Sequence, residues 1–203
     1  MTPDKTPAAP TTLHAERLEA VLARLADSGA RRIADLGCGR GALLDHLSGR
    51  TAVTEVVAVD LDAAPLAAIK ARFAADERLR IETVQGSLMD GRLDLGRLDA
   101  AVLLEVIEHI EPDELSKLEI AVFRAWRPRQ VLITTPNADA NDYLGVPPGR
   151  RRHWDHRFEW GRERFQRWAG GVALRAGYRV EFEALGWEHP TSGAATQMAA
   201  FSR

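Results

Sequence analysis

The segment Arg32-Ile-Ala-Asp-Leu-Gly-Cys-Gly-Arg-Gly-Ala-Leu-Leu44 is typical of an apolar strand that runs into a glycine-rich turn and then into a helix. Gly37, Gly39 and Gly41 permit a tight turn and let the backbone approach a ligand closely. Their G-x-G-x-G spacing lacks the third glycine position of the dinucleotide-binding fingerprint. The segment therefore predicts an α/β fold with a ligand at this turn, but the turn alone is a weak signal of which ligand binds.

The chain on both sides of this segment alternates between predicted helices and strands. A helix at 12–26 precedes it, and a strand at 55–60 follows it and ends in Asp60. An acid about 20 residues after such a turn can accept hydrogen bonds from both hydroxyls of a ribose. Further strands are predicted at 79–85, 100–104, 130–135, 178–185 and 197–202. Further helices are predicted at 63–73, from Pro112 onward and at 162–176. In the helix that starts at Pro112, Ile120 is expected on the buried side. This order predicts a doubly wound, mostly parallel sheet.

Length and composition limit the class of protein. The 203 residues, 45% of them hydrophobic, suit one domain with a single core. The net charge of −2 excludes a globally basic nucleic-acid binder, so any such partner must meet a local patch. Cys38 is the only cysteine, which rules out an intrachain disulfide and fits a reducing compartment. Because no apolar run approaches the roughly 18 residues of a membrane span, we expect a cytoplasmic protein without a membrane partner.

A second informative stretch, Leu103-Leu-Glu-Val-Ile-Glu-His-Ile-Glu-Pro112, follows the predicted strand at 100–104. In one helical turn Glu105, Glu108 and His109 would share a face, since residues at i, i+3 and i+4 are neighbours. Two carboxylates and an imidazole on one face predict a metal site or an acid/base site. The competing interpretation is a solvated helix start whose acids favour the helix dipole. The position at the carboxyl end of a strand, where ligands bind in this type of fold, favours the functional interpretation.

A third stretch, at 150–168, combines positive charge with aromatic side chains. Seven arginines stand against three acids between 150 and 167, a net charge of +4 in a chain that is negative overall. Arginines and aromatic rings together suit phosphate contacts and base stacking. The residues predicted to contact nucleic acid are Arg151, Arg152, Trp154 and Arg157. The competing interpretation assigns Phe158, Trp160, Phe165 and Trp168 to the core and the arginines to a solvated rim. A predicted loop at 186–195 carries Trp187 and His189, to which the sequence assigns no role.

The first half of the chain resembles the S-adenosylmethionine-binding half of the class I methyltransferases. The resemblance is carried by Asp35-Leu-Gly-Cys-Gly-Arg-Gly41, Val59-Asp60 and Gly86-Ser-Leu88. It implies a Rossmann-like α/β fold with a seven-stranded, mostly parallel sheet and an antiparallel last strand. The implied contacts of S-adenosylmethionine are Asp35, Gly37, Gly39 and Gly41 for the methionine end, Asp60 for the ribose, Ser87 and Leu88 for the adenine, and Leu61 beside them. The competing interpretation is a nicotinamide enzyme, and the glycine spacing argues against it.

Glu-x-x-Glu-His at 105–109 and His-x-Asp-His-x-Phe-Glu-Trp at 153–160 together resemble the small-RNA 3′-terminal 2′-O-methyltransferases of the Hua-enhancer type. The catalytic and metal-binding residues that this resemblance implies are Glu105, Glu108, His109 and His156. His156 is chosen over His153 because Asp-His-x-Phe-Glu-Trp is the better-matching core of the motif. Mixed carboxylate and imidazole donors suit Mn²⁺, Mg²⁺ or Co²⁺. The segment at 137–160 is then the insertion that binds substrate and metal.

The implied reaction is methyl transfer from S-adenosylmethionine to the 2′-OH of the 3′-terminal ribose of RNA, as in small-RNA stabilisation or bacterial RNA repair. A divalent metal that binds both the 2′-OH and the 3′-OH would acidify the first and require the second. Alternatively, His109 or His156 accepts the proton as a general base. Two other functions compete: an O-methyltransferase of quinone precursors, which shares Glu-x-x-Glu-His, and a non-catalytic S-adenosylmethionine-binding subunit.

The proline-containing residues 1–11 are predicted to be a disordered tail or the remnant of a linker, and 12–203 a single methyltransferase domain. Bacterial proteins that this chain resembles commonly carry a long N-terminal half that engages an RNA end-healing and ligation enzyme. Such an enzyme is therefore a candidate partner. The sequence fits either an isolated domain or a free-standing variant.

Overall fold

The computed structural model describes residues 10–203, with side chains from residue 13 onward. Helix α1 (Pro10–Ser28) begins two residues before the predicted helix at 12–26 and ends two residues after it. Of the tail predicted for 1–11, positions 1–9 lie outside the described residues. The buried face of α1 consists of Leu18, Val21, Leu22 and Leu25. That apolar face covers the sheet, as the helical spacing of these residues predicts.

The remaining elements follow the predicted alternation of strands and helices. The strands are β1 (Arg32–Leu36), β2 (Glu55–Asp60), β3 (Arg80–Gln85), β4 (Ala100–Leu104), β5 (Gln130–Pro136), β6 (Arg179–His189) and β7 (Gly193–Ser202), and the helices are α2 (Leu44–Leu47), α3 (Ala63–Arg72), α4 (Leu115–Ile120) and α5 (Arg162–Ala176). Two 3-10 turns, Ile107–His109 and Ala138–Ala140, and a π-helix, Ala121–Trp126, complete the set.

The seven strands form one sheet in the order β3-β2-β1-β4-β5-β7-β6. The first five strands are parallel, β7 is antiparallel to β5, and β6 pairs antiparallel with β7. This confirms the predicted α/β fold, including its antiparallel last strand. The carboxyl ends of β1, β2, β4, β5 and β6 consequently lie along one edge of the sheet, and the glycine turn and the Glu105 stretch begin there.

Helices cover both faces of the sheet. Apolar residues of α1, α2 and α3 pack on one face, and those of α4, the π-helix and α5 pack on the other. The central strands are buried on both sides, which explains why they are continuous apolar runs rather than alternating patterns. No helix within residues 10–203 has the length and apolar character needed to cross a bilayer.

The helix predicted from Pro112 begins at Leu115 and continues as a π-helix from Ala121. Residues 121–123 are all buried, whereas Ile120 is 56% exposed. The prediction that Ile120 lies on the buried side was wrong, because Ile120 is two residues from the buried Leu118 and so lies on the opposite side of the helix.

The C-terminal hairpin is longer than predicted, because β6 extends to His189 and β7 begins at Gly193. Most of the predicted loop at 186–195 is therefore strand. Between Leu185 and Glu188, β6 has one residue more than its partner strand, and Gly186 there has φ +95°. In the sequence this glycine indicates a loop, and in the fold it permits a β-bulge.

Candidate active site

The glycine turn after β1 forms the floor of a groove of about 430 Å³. Gly37 has φ +77°, and a Cβ there would lie 2.9 Å from a methyl group of Val106, so only glycine fits. The predicted cofactor residues that line the groove are Gly37, Asp60, Leu61, Ser87 and Leu88. Asp60 is held in place because its carboxylate accepts hydrogen bonds from the backbone N–H of Gly39 (2.8 Å) and of Asp62 (3.0 Å).

The other predicted cofactor residues do not line this groove. Asp35 is buried in β1, and its burial, together with the charge of Asp60, raises the pKa of its carboxyl to about 7. Gly39 and Gly41 shape the turn without lining the groove. Burial raises the pKa of the Cys38 thiol to about 12, so this cysteine stays protonated and is not a nucleophile.

The Glu105 stretch does not form the predicted helical turn. Glu105 adopts the left-handed conformation with φ +56°, and a 3-10 turn follows at Ile107–His109. A non-glycine residue in this conformation costs about 1–2 kcal/mol. The backbone N–H of Glu105 donates to the carbonyl oxygen (3.2 Å) and to Oγ1 (3.0 Å) of Thr134 at the end of β5, which fixes the strained residue. The expected helical face was therefore wrong, although the three side chains still converge.

The four predicted metal ligands line one cavity of about 350 Å³. We call it the reaction cavity, and its lining residues are His14, Arg17, Leu104, Glu105, Glu108, His109, Pro136, Arg152, His153 and His156. Glu105 and His109 also line the groove described above. The two spaces therefore meet at these two side chains.

Each of the two glutamates has one carboxylate oxygen bonded and one free of protein partners. Glu105 Oε2 lies 3.0 Å from a guanidinium nitrogen of Arg17, and Glu108 Oε2 accepts a 3.0 Å hydrogen bond from the hydroxyl of Thr135. The Oε1 atoms of both glutamates are buried and have no hydrogen-bond partner among the described residues. Buried polar atoms are almost always satisfied, so these two oxygens are candidates for binding a ligand.

The histidines show the same arrangement. His109 Nδ1 lies 3.2 Å from a carboxylate oxygen of Asp155, and His156 Nδ1 lies 2.5 Å from one of Glu159. A carboxylate beside Nδ1 holds a proton there and leaves Nε2 as the atom that can bind a metal. His153 differs, because its Nδ1 accepts the backbone N–H of Asp155 at 3.2 Å. Potential ligand atoms of all three rings lie within 4.8 Å of one another.

Burial dominates the electrostatics of the reaction cavity. It raises the pKa of Glu108 well above the usual value for a carboxyl, and the charge of Glu105 raises it further. It also raises the pKa of Glu105, although the guanidinium of Arg17 opposes that shift. Burial lowers the pKa of His156 against the opposing effect of Glu159. A bound cation would stabilise the charged form of both carboxyls, and the set of carboxylate and imidazole donors fits a divalent metal.

Hydrogen bonds attach the segment at 151–160 to this cavity. The backbone N–H of Arg157 donates to the carbonyl oxygen of Glu108 at 2.6 Å. Arg152 donates its backbone N–H to Glu159 (2.7 Å), and its guanidinium donates to the side chain of Asn141 (2.7 Å) and to the carbonyls of Ala195 (2.6 Å) and Asn137. The predicted nucleic-acid contact Arg152 is thus occupied by protein acceptors.

The other predicted contacts are at the surface. Trp154 is 85% exposed, and Arg151 and Arg157 are exposed as well. Arg157 lies 3.1 Å from a carboxylate oxygen of Asp155, and Arg151 donates to the carbonyl of His156 at 2.9 Å. The aromatic residues Phe158, Trp160 and Phe165 are buried, and Trp168 packs against them. For these four rings the core interpretation holds, which leaves Trp154 as the exposed ring of the segment.

Sequence reasoning missed several residues of the site. Arg17 and His14 come from α1, and Thr135 ends β5. Nothing in the sequence connects these positions with Glu105 or Glu108, because only the fold brings them together. Asp155 and Glu159 carried a signal, since both are acids of the His-x-Asp-His-x-Phe-Glu-Trp motif. Glu159 contacts His156 of the same motif, whereas Asp155 contacts His109, which lies outside it.

The chain is similar to known methyltransferases. Residues 33–129 match a family model described as a methyltransferase domain. The chain is 34% identical to the methyltransferase domain of a bacterial Hen1 (CtHen1-CN), with 94% of this chain and 100% of that chain covered and a TM-score of 0.83. It is 32% identical, over 94% of its residues, to a small RNA 2′-O-methyltransferase of Arabidopsis thaliana. A chain of the Pnkp1/Rnl/Hen1 RNA repair complex shares the fold at 23% identity and a TM-score of 0.71, with 94% of this chain and 42% of that chain covered.

The curated relatives are much longer than the matched region. The chain spans 22% of the Arabidopsis protein and between 46% and 55% of three others, among them that of Xenopus tropicalis. The bacterial Hen1 domain, in contrast, is covered over its whole length. On that match, the chain belongs to the Hen1 family of small RNA 2′-O-methyltransferases.

Proposed function

We propose that this protein transfers a methyl group from S-adenosylmethionine to the 2′-OH of the 3′-terminal ribose of RNA, and that the reaction requires a divalent metal. One observation carries the metal requirement. Glu105, Glu108, His109 and His156 each have one polar atom bonded to a neighbouring side chain and a second one available. Such outer partners orient the ligands of metal sites. The acceptor is proposed from the names of the relatives, which are small RNA 2′-O-methyltransferases.

The proposed metal ligands are Oε1 of Glu105 and Glu108 and Nε2 of His109 and His156. A divalent cation bound there supplies a Lewis acid that lowers the pKa of a ribose hydroxyl, which is a poor nucleophile at neutral pH. We assign His156 rather than His153 as the fourth ligand, because His156 has a carboxylate at Nδ1 and His153 has a backbone N–H there.

Protein groups orient the two substrates for in-line transfer. The groove along Gly37, Asp60 and Ser87 binds S-adenosylmethionine, with Asp60 as the acceptor of hydrogen bonds from its ribose. Since the groove and the reaction cavity share Glu105 and His109, the sulfonium methyl group and the acceptor hydroxyl can be placed next to each other. Holding both reactants in this orientation contributes a large part of the rate enhancement.

The exposed residues Arg151, Arg157 and Trp154 are proposed to contact the RNA near its end. Arginine guanidinium groups bind phosphate oxygens, and an exposed indole stacks on a base. Arg152 has another role in this proposal, because it joins the insertion to the hairpin that contains Ala195 and supports His156 through Glu159. The small-molecule alternative is not supported by the relatives described above, and an intact set of candidate ligands argues against a non-catalytic subunit.

We further propose an RNA end-healing and ligation enzyme as the partner of this protein. The support is the similar chain in the Pnkp1/Rnl/Hen1 RNA repair complex. Affinity purification of the tagged protein from its host should recover an RNA ligase. Recovery of none, in a preparation that retains methyltransferase activity, would contradict this partner.

The reaction can be tested with tritiated S-adenosylmethionine, Mn²⁺ and a short RNA. The 3′ end should become labelled and resistant to periodate, which cleaves only vicinal diols, and excess chelator should prevent both changes. RNAs that end in 2′-deoxy, 3′-deoxy or 3′-phosphate should not accept the methyl group. Efficient methylation of the 3′-phosphate RNA would contradict the requirement for both hydroxyls, and full activity in chelator would contradict the metal.

A further inference from the structure

Three aromatic rings form an exposed group at the end of the β6–β7 hairpin. Tyr143 belongs to the insertion, and its ring centroid lies 4.9 Å from those of Trp187 and His189, with interplanar angles of 32° and 34°. Trp187 is 38% exposed, and the other two rings are half-buried. We call these three residues the hairpin cluster. None of them lines the cofactor groove or the reaction cavity.

The hairpin cluster lies at the same edge of the sheet as both of these spaces. The cofactor groove lies over β1, β2 and β4, the reaction cavity over β4 and β5, and the hairpin cluster over the end of β6, which is separated from β5 by β7. Two strand spacings of about 4.8 Å place β6 roughly 10 Å from β5. The three features therefore follow one another across the sheet, with the reaction cavity in the middle.

Positive charge connects the reaction cavity with the hairpin. Arg17 lines the cavity, and its Nε donates to the hydroxyl of Thr196 on β7 at 2.9 Å. Arg152 also lines the cavity, and it donates to the carbonyl of Ala195 at 2.6 Å. A nucleic-acid backbone that leaves the cavity toward β6 would pass near both arginines. Their guanidinium groups are bonded to protein acceptors, so they contribute positive charge along this path rather than direct phosphate contacts.

The hairpin cluster is held by the folded structure. The side chain of Asn137 donates to the carbonyls of Ser192 (3.0 Å) and Ala194 (2.8 Å), which joins the hairpin to the end of β5. His189 Nδ1 lies 3.0 Å from the hydroxyl of Thr191 within the turn. The bulge at Gly186 bends the strand just before Trp187. Such a fixed set of rings binds a ligand without a large cost for ordering them.

We infer that the hairpin cluster is a stacking site for the bases immediately upstream of the 3′-terminal nucleotide of the RNA. This inference rests on the proposed function, because it assumes that the terminal ribose occupies the reaction cavity. Aromatic side chains beside a positively charged path are the usual platform for single-stranded nucleic acid, and each stacked base contributes about 1–3 kcal/mol. The site requires unpaired bases, since bases inside a duplex do not expose their faces. The protein therefore selects an RNA whose last few nucleotides are single-stranded.

The test compares RNA binding by the wild type, Trp187→Ala and Trp187→Phe, with Phe182→Ala as the control. Phe182 is a 39%-exposed aromatic residue of the same strand that is not part of the cluster. Fluorescence anisotropy with a labelled single-stranded RNA should show about 5- to 100-fold weaker binding for Trp187→Ala, little change for Trp187→Phe and none for Phe182→Ala. In methyl-transfer assays, KM for RNA should rise while kcat stays the same.

An abasic site at the second or third nucleotide from the 3′ end provides a test that needs no variant. It should weaken binding to the wild type by the same 5- to 100-fold and have little further effect on Trp187→Ala. Equal affinity of the wild type for intact and abasic RNA would overturn the stacking site, as would unchanged binding by a folded Trp187→Ala protein. Either result, found with a wild type that methylates RNA 3′ ends, would leave the proposed function standing. A wild type that methylates no RNA would remove the proposed function itself.

Discussion

The cofactor groove and the reaction cavity are neighbours that share Glu105 and His109, but they are constructed differently. The groove is formed mainly by consecutive strand–turn–helix units, so its glycines and Asp60 stand at a regular spacing in the sequence. The cavity combines α1, the ends of β4 and β5, and the insertion. A local unit can be recognised from spacing, whereas an assembled site becomes visible only when distant segments are placed together.

The two sites also differ in how their acids are stabilised. The carboxylate of Asp60 accepts two backbone N–H hydrogen bonds within the groove. In the cavity, Glu108 is buried and Glu105 half-buried, and each has one buried carboxylate oxygen without a partner in the part of the chain that the structure describes. Arg17 lies beside Glu105 and Thr135 donates to Glu108, and a further cation would reduce the cost of burying both carboxylates. The acid of the groove is therefore hydrogen-bonded by the protein itself, whereas the cavity has two carboxylate oxygens available to the proposed metal.

The largest expected effects come from one substitution in each site, because each substitution should weaken the binding of one ligand and leave the other unchanged. Glu108→Gln should lower methyl transfer and Mn²⁺ affinity by about 100-fold or more, because a proposed ligand is lost, while affinity for S-adenosylmethionine is unchanged. Asp60→Asn should weaken S-adenosylmethionine by about 10- to 100-fold, as charge-assisted hydrogen bonds are lost, and leave Mn²⁺ affinity unchanged. Calorimetric titration of each variant with each ligand measures all four values.

Glu111→Gln is the matched control, since Glu111 is an exposed acid of the same segment. It should behave as the wild type with both ligands. If Glu108→Gln bound Mn²⁺ normally, the cavity would not be the metal site, and the contrast between the two regions would fail.

A smaller effect is expected from the outer partner of His156. Glu159→Gln removes the charge beside His156 Nδ1 while it preserves the shape of the side chain. Loss of such a partner typically reduces metal affinity by about 10- to 100-fold. The positioning role predicts weaker Mn²⁺ binding, measured by electron paramagnetic resonance, at unchanged affinity for S-adenosylmethionine.

Glu163→Gln serves as the control, because Glu163 is an exposed acid at the start of α5. Equal Mn²⁺ affinities of Glu159→Gln and Glu163→Gln would show that Glu159 does not act through the metal. Weaker Mn²⁺ binding by Glu159→Gln alone would show that a residue outside the direct ligands contributes to the metal affinity of the cavity.

The contrast between the regions also explains what the sequence could and could not predict. The alternation of strands and helices and the cofactor turn were predictable, because burial on both faces and the glycine spacing leave direct traces in the sequence. The left-handed Glu105 was not predictable, since its conformation depends on hydrogen bonds to Thr134 on another strand. Arg152 was interpreted from local charge alone, and its acceptors at Asn141 and Ala195 come from separate segments.

The smallest expected effect is a change in the free energy of unfolding that depends on Asp35, the buried acid of β1. Burial raises the pKa of Asp35 from 3.8 to about 7. Between these values the folded protein keeps a proton that the unfolded chain releases, so the free energy of unfolding falls as the pH rises, by at most about 1.4 kcal/mol per pH unit. Asp35→Asn lacks this titration. Urea unfolding without cofactor, at about pH 5.5 and 6.5, should therefore show a wild type that loses about 1 kcal/mol relative to the variant. If the free energy of unfolding changed equally with pH in the two proteins, Asp35 would be ionised in the folded protein.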